Sequence, residues 1–73
     1  MANNIASERT RLGLSQEGLA KELGVSRESV KGWETGGKPV RSSNLCDMAD
    51  LFGCSIDYLL ARTDERVVRG ALA

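Results

Sequence analysis

Histidine is absent from the 73 residues, proline occurs once, and Trp, Tyr and Phe occur once each. Without histidine, and with Cys46 and Cys54 as the only cysteines, the chain lacks the ligands for a structural zinc site. The usual general base is missing too, and no Ser and Lys pair sits in a peptidase-like context. No nucleophile is therefore matched to a base, and an enzyme is the least favoured reading. No cofactor and no small-molecule substrate is implied. No apolar run nears the roughly 18 residues that span a bilayer, and "MANNIASERT" lacks the basic-then-apolar order of a secretion signal. The expected place is the cytoplasm, with no membrane partner, where the two cysteines are expected as reduced, packed thiols. Strand-like alternation, internal repeats and low-complexity tracts are also missing.

What remains is enough for a single small helical domain. A chain this short buries about 60% of its unfolded surface, and 41% hydrophobic residues supply a minimal aliphatic core while 27% charged residues argue against disorder. Net charge is zero, but it is unevenly spread. Residues 1–41 hold seven Lys or Arg against five Asp or Glu, and residues 42–73 hold three against five. A polyanion, if one is bound, belongs to the first part.

Gly13, Gly24, Gly36 with Gly37, and Gly53 divide the chain into segments of helical length. The first predicted helix runs from about Asn4 to Leu12, with Ile5 and Leu12 on one face. Ser15 is placed to cap a second helix that turns Leu19, Ala20 and Leu23 inward, and Ser26 to cap a third. A fourth spans about Ser42 to Phe52 with Leu45, Met48, Ala49 and Phe52 inward. Ser55 caps a fifth, "SIDYLLAR", with Ile56, Leu59 and Leu60 inward. The expected fold is all-α, with domain limits at 1–62 and a tail at 63–73.

The critical stretch is "SQEGLAKELGVSRESVKGWE", two short helices around a Gly-containing turn, which is helix-turn-helix spacing. At about 100° per residue, Val30 and Trp33 mark the inward side of helix three. The other side carries Glu28, Lys31, Gly32 and Thr35, flanked by Arg27 and Ser29. Two readings of that side stand on pattern alone: a solvated flank, or a face for the major groove. In a groove, Arg27 suits the O6 and N7 of guanine, Glu28 the amino group of cytosine, and Lys31 a base or phosphate. Gly32 weakens the helix by about 0.5 to 1 kcal/mol relative to alanine. Either close backbone approach to DNA or an absence of selection accounts for it.

The pieces "LSQEGLA", "LGVSRESVKGWETG" and "GCSIDYLLARTD", at this mutual spacing, resemble the lambda-repressor-like, xenobiotic-response-element family of bacterial and phage helix-turn-helix regulators. The resemblance covers Leu14 to Leu60. It implies a compact five-helix DNA-binding domain that reads operator DNA, with Arg27, Glu28, Lys31 and Gly32 at base-reading positions. It implies backbone-phosphate positions at Gln16, Ser26, Ser29, Lys38, Arg41, Ser43 and Asn44, with Ser42 in the same run. It also implies a partly buried ion pair between Arg9 and Glu34. Expected partners are double-stranded DNA at the bacterial nucleoid and a second copy of the chain on a palindromic operator. A protein-interaction module on the same fold, such as an antitoxin or regulator partner using helix five and the tail, is the competing class.

Three positions depart from the family pattern. Gly18 stands where relatives usually place Glu, so helix two should start less firmly. Ser42 stands where they place an apolar residue, and Gly32 lacks a side chain they often use. The tail "TDERVVRGALA" lies outside the resemblance. Thr63 can cap it, and Val67, Val68, Ala71 and Leu72 can form an apolar face. A sixth, dimerising helix, a linker and a frayed end all remain open.

Overall fold

Serine hydroxyls decide where three of the helices begin. Ser15 accepts from the Gly18 amide at 2.9 Å, Ser26 from Ser29 at 3.2 Å and Ser55 from Tyr58 at 3.1 Å, each serving a first-turn amide that has no carbonyl four residues back within the helix; the Ser29 amide also reaches the Ser26 carbonyl at 3.1 Å. The computed structural model describes residues 3–66, and five helices follow in order. They are α1 (Ile5–Arg11), α2 (Gln16–Leu23), α3 (Arg27–Thr35), α4 (Ser42–Phe52) and α5 (Ile56–Leu59). No strand occurs among the described residues, and none of the helices there is long and apolar enough to cross a membrane.

The turn between α2 and α3 forms because Gly24 takes the left-handed conformation, φ 69°, that ends α2, and the Val25 amide then closes on the Ala20 carbonyl at 3.0 Å. Two helices joined so tightly pack directly on one another. Their shared core is Leu19, Ala20, Val30 and Trp33, closed by Ile5 of α1, Met48 and Phe52 of α4 and Leu59 of α5. Leu14, Leu23, Leu45, Ala49 and Cys54 pack around it.

The first helix departs from the expected pattern. Ile5 is fully buried, but Leu12 is 40% exposed because α1 ends at Arg11 and the chain turns away. The buried place on the next turn belongs to Glu8, 3% exposed. Asn4, at the α1 start, caps nothing. Its side chain donates instead to the Tyr58 carbonyl at 2.6 Å and its amide to the Leu59 carbonyl at 3.0 Å. Asn3 takes over, its side-chain oxygen accepting from the Ile5 amide at 3.0 Å while its amide group donates to the Trp33 carbonyl at 2.8 Å.

Two further expectations are corrected. Cys46 is exposed on α4 rather than packed, because its neighbours Leu45 and Met48 take the inward side; both thiols are free. Half-buried Cys54 has its thiol pushed up, by burial first and by the nearby Glu8 carboxylate second. Helix α5 is a single turn, with Leu59 buried and Ile56 and Leu60 half-buried. Beyond it, the Glu65 amide donates to Thr63 Oγ1 at 3.2 Å without a helix starting by Arg66. Val67, Val68, Ala71 and Leu72 lie outside the described residues.

Arg66 folds back onto the body. Its guanidinium donates to both Glu8 carboxylate oxygens, at 2.9 and 2.7 Å, and to the Phe52 carbonyl at 2.6 Å. Arg11 completes the cluster, reaching Glu8 at 3.0 Å and the same Phe52 carbonyl at 2.8 Å. The last carbonyls of a helix lack intrahelical partners, and two guanidinium groups satisfy this one at the end of α4.

Candidate nucleic-acid interface

The inner side of α3 is pinned by Val30 and Trp33, at 0% and 2% exposure, which fixes what its outer side presents. Arg27, Glu28, Lys31 and Thr35 are exposed there, with Ser29 and Gly32 half-buried on the flank. Ser26 is exposed at the N-cap, and its hydroxyl shares a 3.0 Å hydrogen bond with that of Ser29.

Beside this face, the segment between α3 and α4 closes a cleft of about 520 Å³ lined by Val25, Ser29, Trp33, Lys38, Pro39, Arg41 and Asn44. Four of the sequence-assigned residues, Ser29, Lys38, Arg41 and Asn44, thus meet on one wall-and-rim arrangement. Arg41 is the N-cap residue of α4 and contributes no side-chain cap, so the amides of that helix's first turn are left for other acceptors. Ser43 is exposed in that first turn but does not line the cleft.

Lys38 is placed by α3 itself. Its amide donates to the Gly32 carbonyl at 3.1 Å and its Nζ to Ser29 Oγ at 2.8 Å. The two sequence-level accounts of Gly32 omitted this neighbour, which adds a reason from within the fold.

Gln16, Arg9 and Glu34 meet on another side of α3. Arg9 Nε lies 2.7 Å from Glu34 Oε2, with side-chain exposures of 18% and 8%, and Arg9 Nη1 donates to the Leu14 carbonyl at 2.7 Å. Gln16 Nε2 donates to Glu34 Oε1 at 3.0 Å. Glu34 is therefore a joint between α1, the start of α2 and the end of α3. No buried side-chain nitrogen or oxygen among the described residues lacks a partner.

Sequence reasoning missed Glu8, Arg11 and Arg66. Glu8 is held below the ordinary carboxylate value by its hydrogen bond from Arg66, with burial opposing and Arg11 assisting. Glu8 lies three residues from Ile5 on the short first helix, but that spacing alone does not mark it, because its partner Arg66 stands 58 positions along.

No group of residues that could hold a metal ion occurs among the described residues. The sequence profile of the helix-turn-helix family matches residues 5–59, which takes in all five helices. The chain is 35% identical over 69 residues to an uncharacterized transcriptional regulator in the ATPase CF(0) region of Rhodospirillum rubrum, covering 90% of this chain and 64% of that protein. It is also 35% identical over 52 residues to the uncharacterized HTH-type transcriptional regulator YobD of Bacillus subtilis, covering 71% of this chain and 46% of that one. The chain thus spans about half to two thirds of the length of these relatives. With α2 and α3 packed as the sequence spacing required and the family profile covering every helix, the chain belongs to the Cro/C1-type helix-turn-helix family.

Proposed function

We propose that this domain binds double-stranded DNA in a sequence-dependent way, with α3 in the major groove, and acts in transcription regulation as a repressor. The observation that carries the reading is the outer face of α3. Arg27, Glu28 and Lys31 stand exposed on a helix whose opposite side is locked into the core. A major groove admits such a helix and offers each of these side chains an acceptor or donor. Lys38, Arg41 and the uncapped first turn of α4 border that face, where cations and free amides take backbone phosphate and set register. Gln16, braced by Glu34, stands at the N-terminus of α2 for the same kind of contact. Family membership and the names of both relatives as transcriptional regulators support the same reading.

One such module touches few base pairs, so the binding form is a homodimer on a palindromic operator with half-sites about 34 Å apart or a multiple of that. Selection from a random duplex pool tests this. The expected result is a palindromic consensus, and Arg27→Ala then relaxes preference at one base pair by about 1 to 3 kcal/mol while leaving the salt slope nearly unchanged. If no sequence is enriched and affinity only follows salt, the reading fails, and a protein partner at α5 takes its place.

A further inference from the structure

Gly32 sits mid-helix on the half-buried flank of α3, where glycine is a weak helix former. A Cβ added there would lie 2.8 Å from Lys38 Cβ, 3.5 Å from its Cδ and 3.8 Å from its Cγ. Real Cβ atoms do not approach so closely, and the first of these neighbours is the rigid root of the lysine rather than its flexible end. The aliphatic stem of Lys38 therefore occupies the room that a side chain at position 32 would need.

Two hydrogen bonds hold it there. The Lys38 amide is bound to the Gly32 carbonyl, and its ammonium reaches back along α3 to the Ser29 hydroxyl, itself bonded to Ser26. An ammonium has three donors; Ser29 takes one, and Lys38 as a whole is exposed. A lysine already laid along the helix has less side-chain freedom to lose on contact than a free one.

We propose that Gly32 and Lys38 form one unit of the DNA-binding surface. The missing Cβ at position 32 lets Lys38 lie across α3, and its ammonium, set beside the first turn of that helix, takes a backbone phosphate. Gly32 is then a positioning residue that governs affinity through Lys38 and touches no base. This rests on the DNA-binding reading above and adds a coupling to it.

The test compares Gly32→Ala, Lys38→Met and the double variant on the duplex selected by the wild type. Each single change is expected to weaken binding about tenfold, as for loss of one charge-assisted hydrogen bond, and to make the salt slope shallower by about 1 with the consensus unchanged. The double variant should be no weaker than either single one. In the free protein, NMR should show Gly32 Hα close to Lys38 Hβ, and circular dichroism should show Gly32→Ala still helical. Should Gly32→Ala lose its fold, Lys38→Gly removes the colliding carbon, and Gly32→Ala with Lys38→Gly should refold and bind as Lys38→Gly alone.

Wild-type affinity and slope in Gly32→Ala, losses that multiply in the double variant, a shifted consensus, or a missing NMR contact would each overturn the coupling while leaving DNA binding in place. If the wild type itself enriches no duplex, the DNA-binding reading falls and the coupling's role falls with it, whatever the NMR contact shows.

Discussion

Glu8 and Arg9 are neighbours on α1, opposite in charge, and they fasten that helix to two different parts of the molecule. Arg9 reaches Glu34 at the end of α3, with Gln16 and the Leu14 carbonyl completing the joint. Glu8 faces away and gathers Arg11, Arg66 and the end of α4. In the first joint both charged partners are largely covered, at 18% and 8% side-chain exposure. In the second the carboxylate is covered, at 4%, while Arg11 and Arg66 keep 46% and 35% of their side chains in water. A buried pair is costly to break from one side because the remaining charge is stranded, whereas partners that reach water can be resolvated. The first joint should therefore be the less forgiving, and it is the one that seats the helix proposed to read DNA.

The largest effect is expected from Arg9→Ala, which leaves Glu34 covered with only Gln16 to answer it. A loss of about 3 kcal/mol in urea unfolding is expected, and replacing both Arg9 and Glu34 by apolar residues of similar size should recover much of it. A loss below that of Glu8→Gln would invert the comparison.

Glu8→Gln keeps the side chain's volume but gives up its charge, so a loss of about 2 kcal/mol is expected. The same substitution sharpens the pH dependence. Because the Glu8 carboxyl is held below its ordinary value of 4.5, its contribution is complete above that value and disappears as pH falls through the lower folded-state value. Melting temperatures followed from pH 7 downward should drop more steeply for the wild type than for Glu8→Gln once pH is below about 4.5. Parallel curves would remove Glu8 from the acid response.

Arg66→Ala should do least. The Ser55 amide is bonded to the Arg66 carbonyl at 2.7 Å, and that backbone contact is held in place by the guanidinium's own bonds. Faster hydrogen exchange at Ser55 is expected, with a melting temperature lowered less than in Glu8→Gln, because Arg11 still answers the Glu8 carboxylate, and with DNA affinity little changed. An unaltered exchange rate would show that the segment is seated by something other than its arginine.

The two joints also differ in how far they were legible. The Arg9 and Glu34 pairing was reached through the family resemblance, supported by the position of each residue beside an apolar stripe. Glu8 was not legible, because a lone glutamate on a seven-residue helix reads as solvated unless its partner is known. That partner, Arg66, stands 58 positions along, in a stretch that the helical pattern left unassigned. Leu12 was misplaced for a related reason. Periodicity put it beneath Ile5, but periodicity says nothing about a helix that stops one residue earlier. The three serine caps and the α2–α3 turn were legible because their signals are local: a hydroxyl and the amide three residues on, a glycine and the helix it ends. Gly32 shows the limit of such signals. Its cost to the helix is visible in the sequence, but Lys38 is brought over it only by the turn that follows.

The contacts of Asn3 and Asn4 bear on the order in which the domain assembles. Helices α2 and α3 are adjacent in the chain and can dock as soon as both exist. By contrast, α1 is closed by carbonyls of Trp33, Tyr58 and Leu59, the last two more than fifty residues downstream. Contacts of such separation carry a large loop-closure cost and form slowly. During folding, therefore, α1 can lean on Glu34 once α3 exists, but its start is closed only when α5 has joined the core.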